Sequence, residues 1–403
     1  MHCPGVVTCG SDAGSRGGEV GQFVGYGDVL RLGVDARPLS WPEGRGVQRV
    51  ACNLLQTLAR EFAGSVEVVL YSDRPFLTEV AGARQRCLPV GTLRYCGHDL
   101  TRAVRADACD VFLGTGPAVA VGCCPSIFVV YDGFGARERL GVPRWLPWAA
   151  KLSGRYVAAR GAAWAKAVAM SLADGIVFNS ETVAADTRST FRAMKAKPSR
   201  VVYWGVGPGV KRIDEAEAAV LVKEALGVAQ PYLLYVGALT RFKNIDGLLR
   251  MFSGVRAARP DLSLVLVGRE DWPRYARAEA LGGEGVVRVA WADDETLGAL
   301  YSACLAFVTL SWYEGFGLPI AEAMACGAPV VVNNGGALAE VVGDAGLVVP
   351  GADVSAATSA VLRLVEDEGL RARQREAALR RAKCFDWGAA ARGIVSLTTE
   401  VLA

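Results

Sequence analysis

The sequence predicts an α/β protein made of two Rossmann-like, doubly wound domains facing one another across a cleft. Three observations carry this. From Leu30 onward, short β-branched runs alternate with longer helical patterns, as in a parallel sheet covered by helices on both faces. The alternation occurs twice, and the glycine- and proline-rich GVGPGV beginning at Gly205 separates the two rounds. A chain of 403 residues, 52% of them hydrophobic, is long and apolar enough for two or three domains, each with its own core.

In the first round, strands are expected at 32–35, 66–71, 111–113, 127–131, 176–179 and 201–204. The 47–62 segment reads as a helix because Val50, Leu54, Leu55, Leu58 and Phe62 form one apolar stripe. In the second, strands are expected at 232–236, 262–267, 286–290, 305–310 and 330–332, separated by helices at 246–258, 296–303, 319–326 and 355–366. The expected organisation is a flexible N-terminal extension at 1–29, a first domain at 30–208, a second at 209–385, and a C-terminal helix at 386–403. Residues 1–29 have neither a basic start nor an apolar core segment, so a signal peptide is not expected. The 205–215 linker is a candidate hinge for domain closure.

Composition removes several function classes. Lys+Arg number 44 and Asp+Glu 41, a formal net charge of +3, which gives no field that would make nucleic acid a default partner. Eleven cysteines without C-x-x-C spacing and only two histidines argue for reduced thiols in a cytoplasmic protein and against a zinc site. No metal site of any kind is expected. Two charge-free stretches, 111–131 and 296–313, are too interrupted by glycine, proline, serine or threonine to read as membrane spans. The 145–172 stretch carries Lys151, Arg155, Arg160 and Lys166 on an apolar background and reads as an interdomain or core-packing helix, with a membrane-surface helix as the alternative. His98-Asp99 reads as a surface pair and Asp293-Asp294-Glu295 as a helix-capping cluster.

Neither a dinucleotide fingerprint nor a P-loop occurs. The densest signal is SWYEGFGLPIAEAMACGAPV, beginning at Ser311. A strand ends near Leu310, a glycine-rich loop at 315–317 follows, Pro319 suits the start of a helix, and Gly327 suits its end. A helix N-terminus behind such a loop, at the carboxyl end of a strand, is an anion site because unpaired N–H groups and the helix dipole point the same way. Glu314 and Glu322, the latter expected in the first turn of that helix, are acceptors suited to paired sugar hydroxyls. Arg241 and Lys243 follow the 232–236 strand and offer a fork and a point charge for phosphate. Each taken alone also reads as a surface or dipole-complementing residue; together they point to a diphosphate.

These residues resemble the Glu-x7-Glu motif and diphosphate-binding pair of retaining glycosyltransferases of family 4, which have the GT-B fold. The resemblance continues through Gly335-Gly336 and the run from Glu340 to Pro350. In the first half, Gly33 to Arg37 and Gly46 to Arg49 are similar to the opening of one subgroup. Gln48 and Val50 depart from that subgroup's pattern, and Tyr131-Asp132 stands where the family usually has His-Asp.

The resemblance implies hexosyl transfer, mannosyl preferred, from a nucleotide-diphosphate sugar to a hydroxyl of a saccharide or lipid-linked saccharide, with retention and without a metal or other cofactor. GDP-mannose is the first expected donor and UDP-sugars the next. Arg241 and Lys243 are expected to clamp the leaving group, Glu314 to hold the donor sugar and Glu322 the ribose. Gly237, Gly315, Phe316, Gly317 and Leu318 are expected to line the donor site. Gly46 and Arg49 form the expected phosphate or acceptor loop, and Tyr131 and Asp132 position the acceptor. A lipid-linked acceptor implies cytoplasmic location with peripheral contact at the membrane face. The alternatives are a non-catalytic scaffold that binds a nucleotide sugar or a partner protein, and a phosphorylase or epimerase on the same fold.

Overall fold

The computed structural model describes residues 29–41, 46–116, 118–132, 165–269, 283–351 and 353–403. The extension assigned to 1–29, except for Val29, lies outside the described residues, as does 145–164 of the 145–172 stretch.

Strands β1 (Leu30–Asp35), β2 (Val66–Ser72), β3 (Arg84–Cys87), β4 (Val111–Gly114), β5 (Ser126–Val130), β6 (Gly175–Phe178) and β7 (Ser199–Val201) form a parallel sheet in the order β3-β2-β1-β4-β5-β6-β7. A second parallel sheet contains β8 (Tyr232–Val236), β9 (Ser263–Val267), β10 (Val286–Val289), β11 (Ala306–Thr309), β12 (Val330–Asn333) and β13 (Leu347–Val349), in the order β10-β9-β8-β11-β12-β13. Every residue of β4, β5, β6, β11 and β12 is buried. Both faces are covered, so these strands read as continuous apolar runs. Strand order reverses once in each sheet, between β1 and β4 and between β8 and β11. Flanking loops diverge at such switch points and leave a crevice at the carboxyl edge.

The structure departs from expectation where the apolar signal is weak. β3 is the polar sequence RQRC at an exposed edge, and β13 has three residues; neither carries a readable period. The 201–204 run is strand only at Val201, because Tyr203 and Trp204 enter aromatic packing instead. The helix Glu368–Ala382 buries only Ala378, so it has no apolar stripe to recognise.

The junction between the sheets is aromatic. Trp204 stacks on Trp387 with ring centroids 6.0 Å apart, while Phe385 meets Phe316 edge-on at 5.7 Å and Tyr203 at 6.2 Å. The GVGPGV linker is packed into this junction. A Cβ at Gly205 would press on Trp387 and one at Gly209 on Asp294, and Trp387 Nε1 donates to the Val206 carbonyl at 3.0 Å. The helix Trp387–Leu402 lies against the helix Gly46–Glu61 and β7 of the first sheet. It is tied there by Arg392 to Glu61 at 3.4 Å and Glu400 to Arg200 at 2.9 Å.

Candidate active site

The second switch point gathers the strongest sequence signals. Lys243 lies on the 3-10 turn Arg241–Lys243 after β8, and Glu314 lies on the loop after β11. Lys243 Nζ meets Glu314 Oε1 at 2.5 Å, and Ser311 Oγ donates to the same oxygen at 2.8 Å. Asn244 holds the two loops together. It sits at φ 52°, its amide donates to the Leu310 carbonyl at 3.0 Å, and its carbonyl caps the helix Ile245–Ala258 through Gly247 N at 3.2 Å.

The helix Leu318–Ala325 starts differently from the longer helices around it. Asp214, Asn244, Asp293, Asp353, Asp367 and Asp386 each cap a helix of this half with a side-chain oxygen. The Leu318–Ala325 helix begins at Gly317, φ 90°, with no side-chain cap. Pro319 has no N–H and the Ile320 N–H donates to the Gly317 carbonyl at 2.9 Å, so this end offers a ligand the Leu318 N–H and the dipole behind it. Gly315, just upstream, is required by close approach: a Cβ there would overlap the Tyr131 carbonyl oxygen of the first domain. Ser180 Oγ, also from the first domain, donates to the Gly315 carbonyl at 2.8 Å. The glycine-rich loop is thus fixed from across the cleft, and Tyr131 and Asp132 are brought to it.

Glu322 stands in the second turn of that helix, not the first, because the helix begins one residue before Pro319. It is buried, and its carboxylate accepts from Arg49 at 2.9 Å and Tyr301 at 3.2 Å. Burial pushes its carboxyl above the usual carboxylate range, while Arg49 and the Tyr301 hydroxyl act in the opposite direction. Gly46 and Arg49 do not lie in a loop; they form the first turn of the helix Gly46–Glu61. Arg49 crosses the cleft to both Glu322 and Asp294, the latter at 3.0 Å.

Other expected positions differ in detail. The Phe316 side chain is buried against Tyr203 and Phe385, so only its backbone is placed to meet a ligand. Gly237 follows β8 at φ 152°, where its carbonyl lies against Gly268 after β9. Leu318 opens the helix and is partly buried against the core. Arg241 is exposed and lines a separate cleft with Trp312, whereas Lys243 turns to Glu314. The Tyr131 hydroxyl is buried without a hydrogen-bond partner among the described residues, and burial pushes the phenol well up.

Sequence reasoning missed the supporting residues. Ser311 and Tyr301 orient the two glutamates, and Asp294, read as a capping residue, also holds Arg49. Glu340 crosses between domains to accept from Glu181 N at 2.7 Å, Thr182 N at 2.8 Å and Tyr203 OH at 2.9 Å. It complements the N-terminus of the helix Glu181–Thr190. Only its place in the quoted run from Glu340 to Pro350 marked it.

Residues 221–381 match the family model described as glycosyl transferases group 1. The chain is 41% identical over 163 residues to the O-antigen chain mannosyltransferase B of Escherichia coli, a match covering 39% of this chain and 43% of that relative. Its fold resembles the sucrose-phosphate synthase of Thermosynechococcus elongatus with a TM-score of 0.70, at 20% identity over 91% of this chain and 98% of the other. It also resembles the Anabaena protein HepE, solved with UDP and glucose, with a TM-score of 0.66 at 19% identity over 91% and 98%. Residues 221–381 are thus a group 1 glycosyltransferase domain, and the two-sheet frame is the GT-B fold.

Proposed function

We propose that this chain, a group 1 glycosyltransferase domain within a GT-B frame, is a retaining enzyme that transfers a hexosyl group from a nucleotide-diphosphate sugar to a saccharide or lipid-linked saccharide hydroxyl. The observation that carries the reading is the uncapped start of the helix Leu318–Ala325 beside the Lys243–Glu314 pair, in a domain whose other long helices are capped by their own side chains. The mannosyltransferase relative favours a mannosyl donor, and the UDP held by HepE makes a UDP-sugar the next candidate.

In this reading the diphosphate rests on the backbone N–H groups of 315–318, the helix dipole behind them and Lys243, with Arg241 on the same turn completing the clamp. Glu314 takes donor-sugar hydroxyls once Lys243 turns to phosphate, and Glu322 takes the ribose. The acceptor oxygen attacks the anomeric carbon on the face that the diphosphate leaves. The bond from that carbon to the phosphate oxygen breaks with its electron pair on phosphate, and the acceptor proton passes to the departing phosphate oxygen. Charge develops where the cation and the N–H groups already point, so little reorganisation is needed. Tyr131 and Asp132 position the acceptor, no protein base is required, and the proposed chemistry invokes no metal. A lipid-linked acceptor would bring the enzyme to the cytoplasmic face of a membrane. Among the described residues, no helix is long and apolar enough to cross one.

The test is a thermal-shift panel of GDP, UDP, ADP and their hexose conjugates on wild type and Lys243→Ala, since selective binding to the native state raises apparent stability. One nucleotide should stabilise wild type and lose its effect in the variant. No shift from any nucleotide would reject the reading.

A further inference from the structure

A cleft of about 730 Å3 opens beside the second switch point and shares Arg241 and Asn244 with the constellation just described. Among the described residues its walls include Arg241, Phe242, Asp246, Leu249, Arg250 and Trp312. It is not the pocket of Glu322. Glu322 and Tyr301 belong to the helices Leu318–Ala325 and Asp294–Ala303, which pack together, whereas the cleft is walled by the helix Ile245–Ala258. The cores on the two sides are separate. Leu297, Leu300 and Ile320 belong to one, and Leu248, Met251 and Val255 to the other, so the cleft lies across the sheet edge from the nucleoside side.

Its chemistry is specific. Trp312 is 40% exposed, one of the few large apolar side chains left open, and its backbone N–H donates to the Phe242 carbonyl at 2.9 Å, which anchors its backbone to the cleft wall. An indole face suits the C–H face of a sugar ring. Arg250 is exposed and makes no ion pair or side-chain hydrogen bond with a described residue, so its guanidinium fork is available for a carboxylate or phosphate, while Arg241 sits at the rim shared with the diphosphate clamp. Asn244 also lines the cleft, but both ends of its amide are engaged by the fold. Only Tyr313 separates Trp312 from Glu314, so a ring on the indole lies close to the reacting end.

We propose that this cleft is a subsite for a saccharide acceptor carrying an anionic group, with a ring on Trp312 and a carboxylate or phosphate on Arg250. The assignment to acceptor rests on the transferase reading above; the binding of an anionic saccharide does not.

The experiment titrates full-length wild type, Trp312→Ala and Arg250→Gln by calorimetry with a glucuronate-terminated disaccharide, mannose 6-phosphate, neutral mannobiose, and the nucleotide that stabilises wild type. Melting profiles control for folding. Wild type should bind the better of the two anionic sugars at least about tenfold more tightly than mannobiose, a gain expected of one charge-assisted contact. Which anionic sugar binds better tells carboxylate from phosphate. Arg250→Gln should bring the anionic sugar down to the neutral level, Trp312→Ala should weaken all three saccharides, and nucleotide binding should persist in Arg250→Gln. Equal or absent binding of charged and neutral saccharides would overturn the proposal. So would parallel loss of nucleotide binding in both variants, which would make the cleft part of the donor site. Binding of phosphatidylglycerol vesicles that depends on Arg250, without saccharide binding, would assign the cleft to a membrane and also overturn it. Saccharide binding by a protein that binds no nucleotide would reject the transferase reading and leave the subsite standing.

Discussion

The two sheets reverse strand order at equivalent places, yet their switch points are finished in opposite ways. At the first, between β1 and β4, Asp35 is buried and meets Arg37 through paired contacts of 2.8 and 2.6 Å. Tyr95 OH adds a contact at 3.3 Å, Thr115 Oγ1 donates to the Asp35 carbonyl, and the Arg37 guanidinium lies 4.9 Å over the Tyr95 ring. Each polar group finds its partner within the first domain. At the second, between β8 and β11, Lys243 and Glu314 remain partly exposed and the following helix has no side-chain cap. A self-satisfied crevice contributes stability, whereas one with unpaired donors stays available to a ligand.

The difference can be broken by substitution. The largest effect is expected at the sealed crevice. Arg37→Ala leaves Asp35 buried without its cation and should cost about 4 kcal/mol of unfolding free energy in denaturant titration, while nucleotide still binds the folded fraction. Stability within about 1 kcal/mol of wild type would show that this pair is not the seal described here. At the open crevice the pattern should invert. Glu314→Gln should lower transfer about 100-fold in steady-state kinetics, with nucleotide affinity nearly unchanged. Equal turnover in the two proteins would remove Glu314 from the reaction. Lys243→Ala should weaken nucleotide-diphosphate binding about tenfold in calorimetry with little change in melting temperature. Unweakened binding would place the diphosphate elsewhere.

The smallest effect concerns the cleft-spanning contact of Arg49 with Glu322. Burial raises the Glu322 pKa in the folded state, so between the ordinary carboxylate range and that raised value the native protein holds more proton than the unfolded chain. The stability contributed by this group is present at low pH and is lost as pH rises through that window. Glu322→Gln removes the titration. In ligand-free protein, the stability of wild type relative to the variant should therefore decline as pH rises, as read from denaturant titrations across that window. A difference that grows with pH would mean that Arg49 outweighs burial.

Legibility followed the strength of the local signal. β8 was readable to its ends because YLLYV is an apolar and aromatic run between turn residues, and the helix Leu318–Ala325 because Pro319 and Gly327 mark its limits. Lys243 and Glu314 could be assigned to one site on paper because each follows a strand at the carboxyl edge, but their direct contact could not. Arg49 could not be placed on Glu322, because the two are 273 residues apart and nothing local records that distance. The fate of Phe316 was hidden for the same reason: its loop is glycine-rich, but its aromatic partners come from Tyr203 and Phe385. The GVGPGV stretch reads as a hinge by composition; that Trp387 packs on Gly205 and Asp294 on Gly209 has no local signal.

By itself the sequence determined the parallel two-sheet class, the glycine loop and its helix, and the residue types suited to phosphate and sugar, because strand period, turn chemistry and helix boundaries act over a few residues. Only the tertiary structure decided which switch point is sealed, which glutamate is buried under Arg49, and which face of the second sheet carries the Trp312 cleft. The seal and the cleft depend on groups that meet within one domain, Asp35 with Tyr95 and Thr115 and Phe242 with Trp312, and the buried glutamate depends on Arg49, 273 residues away across the domain junction. In each case burial and pairing are settled by packing between segments that no local signal connects.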